Sequence, residues 1–154
     1  MRRLLEQRLY LDANALIYFA EAHPMLGQPI RAIFELAWRG RVSLVTSELS
    51  LAEVLVLPFK LGREDLVATY LDIVKTSLNL DIVAVDRAIL VESARQRAGS
   101  SRKLPDSIHV ATALQARCAF FISEDRNIRT PTGIEHVLIS DLVTNSVSDS
   151  SNDH

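Results

Sequence analysis

The sequence predicts an α/β fold, a three-layer α/β/α sandwich built on a mostly parallel central sheet. Short apolar segments rich in β-branched and aromatic residues alternate with segments whose apolar residues recur at helical spacing. The helix-like segments of about 10 to 15 residues have the length that crossovers between parallel strands need. The length of 154 residues suits a single domain with one substantial core.

The N-terminal half contains two predicted strands and four predicted helices. Pro29 suits the first turn of a helix, where an N–H would have no partner, and Gly40 is expected to end that helix. Ser47 can cap the next helix, and Pro58 is expected to end it. The predicted strands are Arg8–Asp12 and Ser43–Thr46, and the predicted helices are Ala13–Ala22, Pro29–Arg39, Glu48–Leu57 and Arg63–Thr76.

The C-terminal half continues the alternation. Asp86 can cap a helix that runs towards Gly99, and a second helix is predicted over Asp106–Arg117. The predicted strands are Asp81–Val85, Ala119–Ser123 (AFFIS) and Val137–Ile139 (VLI). The polar, serine-rich segment TNSVSDSSNDH cannot bury enough apolar surface to fold alone. We therefore expect a domain over residues 1–143 and a polar tail over 144–154.

Composition limits the possible classes of protein. A hydrophobic share of 48% and a charged share of 23% are ordinary for a soluble globular protein. No apolar run reaches the ~20 residues of a membrane span, and the N-terminus lacks a signal-peptide pattern. The single Cys118 can form no internal disulfide, so a cytoplasmic protein is expected. With a net charge of −2, any nucleic-acid affinity must come from local patches or bound metal.

Four acidic residues lie at the ends of the predicted elements. Asp12 ends the first strand, and Asp125 follows the AFFIS strand by two residues. Glu53 and Asp106 lie in or at the start of helices that follow loops. Because ligands of parallel sheets bind outside the carboxyl ends of the strands, these acids are expected to gather at one edge.

Each acid also has a simpler interpretation. Helix capping explains Asp12 and Asp106, and Asp125 is an ordinary loop residue. Glu53 lies in the apolar segment LSLAEVLVL, where an ionised carboxylate is costly unless it is paired or bound. It could instead form a capping box with Ser50.

The joint pattern is more informative than any one acid. Crowded carboxylates raise each other's pKa unless a cation joins them. Oxygen ligands without a His or Cys cluster suit Mg²⁺ or Mn²⁺, which favour phosphate chemistry. Glu48 competes with Glu53 for this role. His109, one helical turn after Asp106, is expected to be a packed or hydrogen-bonded structural residue.

Four sequence blocks carry a resemblance to a known family. Their acidic and polar residues are Asp12 and Asn14 in LDANALIYF, Glu53 in TSELSLAEVL, Asp106 in LPDSIHVATAL, and Ser123 and Asp125 in FISEDRNI. In this order and spacing the blocks resemble the PIN domain, and IRTPTGIEHVLI continues the pattern, so the match spans roughly Leu9 to Leu142. A compact chain of this size resembles the VapC-type toxins of bacterial toxin–antitoxin pairs.

The resemblance implies a metal-dependent endoribonuclease that hydrolyses single-stranded RNA or a structured RNA loop with Mg²⁺ or Mn²⁺. It also implies a cognate antitoxin and a homodimer. The implied catalytic and metal-binding residues are Asp12, Glu53, Asp106 and Asp125, with Asn14 and Ser123 in support. The chain departs from the family at Glu124, where a neutral residue is frequent, so Glu124 and Asp125 compete for the metal.

The segment ARQRAGSSRKLPD places basic residues just before Asp106. Arg102 and Lys103 could hold RNA phosphates beside the metal. The simpler interpretation is that both belong to a solvated helix end and loop.

Two alternative functions stay open. A PIN-like RNA-binding or RNA-processing protein that is not a toxin would carry the same blocks. A phosphotransfer signalling module has the same general architecture, but it needs an acidic pair after strand one and a lysine after a later strand. Here strand one is followed by Asp-Ala-Asn, and no lysine follows AFFIS or VLI.

The predicted helices before and after the second strand carry more apolar residues than one buried face needs. Glu48–Leu57 is apolar on more than one face, and Pro58 and Phe59 continue the surface. The preceding helix adds Ile33, Phe34, Ala37 and Trp38. The excess suits an amphipathic partner helix, such as one from an antitoxin, unless all of it is internal core.

Overall fold

A single parallel sheet organises the fold in the computed structural model, which describes residues 1–76 and 79–148. Its strand order is β3-β2-β1-β4-β5, and every neighbouring pair is parallel. The strands are β1 (Arg8–Leu11), β2 (Ser43–Ser47), β3 (Leu80–Val83), β4 (Phe120–Ser123) and β5 (Glu135–Leu138). The helices are α1 (Ala13–Ala20), α2 (Gly27–Trp38), α3 (Glu48–Val54), α4 (Val56–Lys60), α5 (Glu64–Thr76), α6 (Arg87–Ala98), α7 (Leu104–Gln115) and α8 (Ile139–Ser148).

Apolar cores on both faces of the sheet produce the three layers. Leu9 and Leu11 of β1 belong to the larger core, which also contains Phe34 of α2. Tyr10 points to the opposite face, because successive strand residues alternate, and it packs in a second core with Val110 of α7. The predicted α/β/α sandwich with a parallel sheet is therefore confirmed.

The strand order places a crevice beside β1. From β1 the chain builds β2 and β3 on one side, and β4 and β5 then lie on the other. Connections therefore leave β1 and β4 in different directions, and in such sheets the crevice outside the carboxyl ends of these two strands is where ligands bind. Asp12 follows β1 directly, and Asp125 lies two residues after β4.

The local signals for helix ends succeed in α2 and fail in the third predicted helix. Gly40, just after α2, has φ of 70°, a left-handed conformation that favours glycine. Pro58 was expected to end a helix over Glu48–Leu57, and this prediction was wrong. The helix breaks at Leu55 instead, between α3 and α4, and Pro58 is the third residue of α4. In a first turn its missing N–H removes no intrahelical hydrogen bond.

The C-terminal boundary also differs from the prediction. The predicted last strand Val137–Ile139 is β5, Glu135–Leu138, and Ile139 begins α8. The helix α8 continues to Ser148, so the first five residues of the predicted tail are helical, and the division into a domain and a tail stays a prediction. The rest of that tail, 149–154, lies outside the described residues.

Candidate active site

Asp12 connects the end of β1 to the start of α1. Its Oδ1 accepts a hydrogen bond from the backbone N–H of Ala15 at 3.0 Å, so it caps the helix. The residue is only 8% exposed. Burial raises the pKa of Asp12; hydrogen bonds with Ser123 and Ala15 lower it, and the nearby Glu53 raises it. From the sequence, helix capping and membership of an acidic group were alternative interpretations. Asp12 caps the helix and also belongs to the acidic group.

The segment after β4 separates the two neighbouring acids. The Ser123 hydroxyl accepts the backbone N–H of Asp125 at 2.9 Å, and it also bonds to the Asp12 carboxyl. Asp125 Oδ1 accepts the N–H of Asn127 at 2.9 Å. Glu124 Oε2 instead accepts the N–H of Ser140 at 2.9 Å, in the first turn of α8, where a negative charge also answers the helix dipole. Of the two acids that competed in the sequence, Asp125 is therefore the one that lines the cavity described below.

Glu53 projects from the exposed side of α3, and a buried histidine binds its carboxylate. Its Oε1 lies 2.5 Å from Nε2 of His109 on α7, and Nδ1 of His109 lies 2.6 Å from the Tyr10 hydroxyl. Tyr10 and His109 are buried, whereas the Glu53 side chain is 36% exposed. Burial, and next the charge of Asp12, raises the pKa of Tyr10, so the phenol stays protonated.

The capping box considered for Glu53 is not formed. Ser47, not Ser50, caps α3, and its hydroxyl accepts the N–H of Leu49 at 3.1 Å. Ser50 is buried and shares a 2.8 Å hydrogen bond with Thr46 of β2. Glu48, the rival acid, is exposed in the first turn of α3 and does not line the cavity.

Asp106 was expected to open its helix but is the third residue of α7, which begins after Lys103. It therefore lies in the first helical turn without being the cap residue. Burial raises the pKa of Asp106, and so does the charge of Asp125, while His109 and Lys103 lower it. Mutual repulsion between carboxylates thus affects this acid as it affects Asp12.

The predicted acids share one cavity at the carboxyl edge of the sheet. Its volume is about 220 Å³, and each of the four carboxylates reaches it from a different element or loop. The lining residues are Asp12, Ala13, Asn14, Ile17, Glu53, Asp106, His109, Phe121, Asp125 and Ile128. Asn14 therefore lies where it was predicted, and the buried Ser123 supports the cavity through its bonds to Asp12 and Asp125.

The carboxylates line the cavity without closing around one point. Within 1–76 and 79–148, no group of three or more acidic, histidine or cysteine side chains has the geometry to hold a metal ion. The polar lining is nevertheless rich in oxygen donors. Burial, and to a smaller extent the charges of neighbouring carboxylates, raises the pKa of Asp12 and of Asp106, and a cation would offset both effects. The donor set therefore fits a hard divalent cation if the side chains turn inward on binding.

A second, basic groove adjoins the acidic cavity. Its volume is about 350 Å³, and it shares Asp106 and Asp125 with the cavity. Lys103 is exposed on its wall. The Arg102 guanidinium donates to Gln96 Oε1 at 2.6 Å and to the Arg129 carbonyl at 2.5 Å. Arg102 therefore ties two loops together, while Lys103 faces solvent.

The expected structural role of His109 is confirmed, because the ring is buried and hydrogen bonded at both nitrogens. Sequence reasoning missed that one of its partners is Glu53, and it did not single out Tyr10. Two signals were present in the sequence. His109 lies one helical turn after Asp106, and Tyr10 is two residues before Asp12, which follows β1 directly.

Part of the apolar excess predicted for a partner is internal core. Ile33, Phe34 and Ala37 are fully buried, so the alternative of internal core holds for these three residues, whereas Trp38 is 48% exposed. The exposed apolar residues concentrate on and beside α4 and define the α4 surface: Val56, Leu57, Phe59 and Leu61, each at least half exposed. Among the residues that the structure describes, no helix has the length and apolar character to cross a membrane.

Comparisons with known proteins agree with this architecture. The family model for the PIN domain matches residues 9–133. A chain of a toxin–antitoxin complex from Klebsiella pneumoniae is 21% identical, with a TM-score of 0.61, covering 82% of this chain and 94% of that one. A chain of VapBC2 from Rickettsia felis, bound to a promoter DNA fragment, is 16% identical, with a TM-score of 0.64, covering 85% of this chain and 98% of that one.

A third similar structure is VapC20 from Mycobacterium tuberculosis, a sarcin–ricin-loop-cleaving toxin. It is 14% identical, with a TM-score of 0.60, covering 78% of this chain and 92% of that one. Comparison with curated protein sequences gives no match. At these identities the structural likenesses establish the fold.

Proposed function

The chain belongs to the PIN domain family, and from this premise we propose that it is a Mg²⁺- or Mn²⁺-dependent endoribonuclease that cuts single-stranded RNA. The observation that carries the proposal is one cavity lined by four carboxylates from separate parts of the chain. The cavity lies in the crevice between β1 and β4. Such a concentration of acids costs stability unless the cavity receives a cation. A phosphodiester is the substrate class that such cations serve.

Each polar residue of the cavity has a proposed task. Asp12 and Asp106 hold the cation, and Asp125 completes its ligands. Glu53 binds the cation or orients the attacking water. When bound, the cation would activate the water and stabilise charge on the leaving oxygen. Asn14 holds Asp12 or a water by hydrogen bonding.

Ser123 contributes through position. Its hydroxyl bonds both to the Asp12 carboxyl and to the backbone of Asp125, so it sets the distance between the ends of β1 and β4. Removal of this hydroxyl would leave both acids less well oriented, without removing any charge.

The basic groove supplies the proposed path for RNA. It opens directly onto Asp106 and Asp125, so a strand lying in it would present a phosphate to the acidic cavity. Lys103 is proposed to bind a backbone phosphate. The predicted RNA contact of Arg102 is proposed to be mainly indirect, because its guanidinium already holds Gln96 and the Arg129 carbonyl.

The metal requirement can be tested with purified protein and a labelled single-stranded RNA that contains a structured loop. We expect cleavage with Mg²⁺ or Mn²⁺ and none with EDTA, and we expect activity to return when Mn²⁺ is added in excess. Cleavage that is unchanged by EDTA would exclude the metal mechanism. RNA binding without cleavage under any of these conditions would favour the alternative of a PIN-like RNA-binding protein.

We further propose that the chain is a toxin, homodimeric and held inactive by a cognate antitoxin. The similar structures from Klebsiella and Rickettsia are toxin–antitoxin complexes, and the α4 surface exposes a row of apolar side chains that an amphipathic helix could cover. We expect the isolated chain to have the mass of a dimer in solution. Co-expression with the protein encoded beside it should give a complex without RNase activity, and Phe59→Asp should weaken that complex.

A further inference from the structure

A hydrogen-bonded chain of three side chains runs from the acidic cavity into the sheet. Glu53 Oε1 lies 2.5 Å from His109 Nε2, and His109 Nδ1 lies 2.6 Å from the Tyr10 hydroxyl. His109 is 4% exposed and Tyr10 is fully buried. The chain begins at an acid with a partly exposed side chain and ends inside the second core.

The chemistry of a carboxylate sets the direction of the bond between Glu53 and His109. A carboxylate only accepts, so His109 Nε2 carries a proton and donates it to Glu53. The bond between Nδ1 and the Tyr10 hydroxyl holds the ring in either protonation state, because a phenol can both donate and accept. Tyr10 also stacks on Phe121 with ring centroids 4.9 Å apart, which fixes the phenol that orients the imidazole.

The three hydrogen-bonded side chains connect the parts of the fold that supply three of the four acids. Tyr10 lies on β1, which Asp12 follows directly, α7 carries both Asp106 and His109, and α3 carries Glu53. Glu53 has the longest side chain of the four acids and lies at the helix surface. Its bond to His109 limits the directions in which its carboxylate can point, and one oxygen stays available to the cavity.

We propose that His109 is a positioning residue of the acidic cavity, whose Nε2–H holds one Glu53 oxygen so that the other faces the cation. Tyr10 has the same effect one step further away, by fixing the ring. The inference rests on the proposed function, since it gives Glu53 a role towards a divalent cation. The proposed role belongs to His109 and Tyr10, which are not ligand candidates themselves. Their hydrogen bonds orient Glu53, which is one.

Two amide substitutions of His109 separate positioning from simple core packing. Gln places its amide nitrogen near the position of Nε2 and can still donate to Glu53. Asn is one methylene shorter, reaches only the position of Nδ1, and loses Glu53. Tyr10→Phe keeps the stacking on Phe121 and removes only the hydroxyl. Ser93→Ala is a matched control, because it removes a buried 2.6 Å hydrogen bond to Ser107 between α6 and α7, outside the cavity lining.

The readout is Mn²⁺ affinity, measured by titration calorimetry on protein whose fold has been checked by thermal unfolding without metal. We expect His109→Asn to weaken Mn²⁺ binding about 10- to 100-fold, the range for loss of a group that orients a ligand. His109→Gln should recover most of that loss, Tyr10→Phe should lose less than His109→Asn, and Ser93→Ala should bind as the wild type does.

The outcomes distinguish this inference from the proposed function. Wild-type Mn²⁺ affinity in His109→Asn would overturn the positioning role while the proposed function stands. Equal losses in the Asn and Gln variants would also overturn it, because they would show that the ring, and not the donor, matters. A wild-type protein that binds no Mn²⁺ would overturn the proposed function, and this inference with it.

Discussion

Asp12 and Asp86 occupy the same local position in two different regions of the molecule. Each follows a strand and caps the next helix; Asp12 accepts the Ala15 N–H at 3.0 Å, and Asp86 accepts the Ile89 N–H at 2.9 Å. Their backbone angles are nearly identical, with φ and ψ of −78° and 174° for Asp12 and −89° and 177° for Asp86. Local structure alone therefore does not distinguish the two residues.

Their surroundings differ in every other respect. Asp12 follows the central strand β1 and is buried, and burial raises its pKa. Asp86 follows the edge strand β3 and is exposed, and the Ile89 N–H, helped by the Gln115 side chain, lowers its pKa. The cap thus stabilises the charge of Asp86, whereas burial disfavours a charge on Asp12. A carboxylate kept under such conditions is characteristic of a functional site.

Conservative substitution of the two aspartates should give the largest difference. Asn remains a good helix cap, so Asp12→Asn should fold normally while it removes a charge from the cavity. We expect its RNA cleavage to fall by at least about a hundredfold, since a lost metal ligand costs several kcal/mol of transition-state stabilisation. Asp86→Asn, the matched control, should cleave within about twofold of the wild type.

Initial rates on one RNA substrate at saturating Mn²⁺ provide the measurement. Near wild-type cleavage by Asp12→Asn would mean that the buried charge has no catalytic use. A comparable loss in Asp86→Asn would mean that capping, and not the cavity, is responsible.

The effect of pH on stability should have opposite signs at the two sites. The pKa of Asp12 is raised above its ordinary 3.8, so the stability contributed by its protonated form is present below that value. That contribution is lost as the pH rises through the folded-state pKa. In EDTA, the stability of Asp12→Asn relative to the wild type should therefore rise as the pH increases above about 4.

Asp86 should behave in the reverse way. Its folded-state pKa lies below 3.8, so its contribution is present above that value and is lost as the pH falls through the lower folded-state pKa. The stability deficit of Asp86→Asn should therefore shrink on acidification. Urea unfolding of the three proteins at several pH values gives the comparison, and parallel profiles for both variants would contradict it.

The same contrast explains what sequence could and could not predict. Alternating strands and helices, the Asp86 cap and the turn at Gly40 depend on neighbouring residues, and all three were predicted. Pro58 was misjudged because the rule against proline applies to helix interiors, and α4 begins only two residues earlier. The break at Leu55 that starts α4 has no clear signal in the apolar segment before it.

Long-range partners were the part of the site that sequence could not provide. The N–H of Ser140 takes Glu124 away from the cavity, and no local pattern indicates this pairing. The bond between Tyr10 and His109 joins residues 99 positions apart. The family blocks identified the acids, but the tertiary fold determines which of them face one another. The metal-binding roles of these acids stay a prediction.

The smallest expected effect concerns the rim of the cavity. Lys103 is exposed in the groove beside Asp106 and is expected to replace one counterion on bound RNA. Lys103→Ala should reduce the slope of log K against log salt concentration by about 0.7 for a single strand, with little change in the cleavage rate at saturating RNA. Arg95→Ala is the control, because Arg95 is 71% exposed on α6, pairs with Glu92 at 3.4 Å and does not line the groove. RNA-binding titrations at several salt concentrations, in Ca²⁺ to prevent cleavage, would measure both slopes.

Two outcomes would contradict the proposed role of Lys103. Equal slopes for wild type and Lys103→Ala would assign Lys103 to the solvated loop. An equal reduction in Arg95→Ala would mean that RNA binding depends on overall charge and not on this groove.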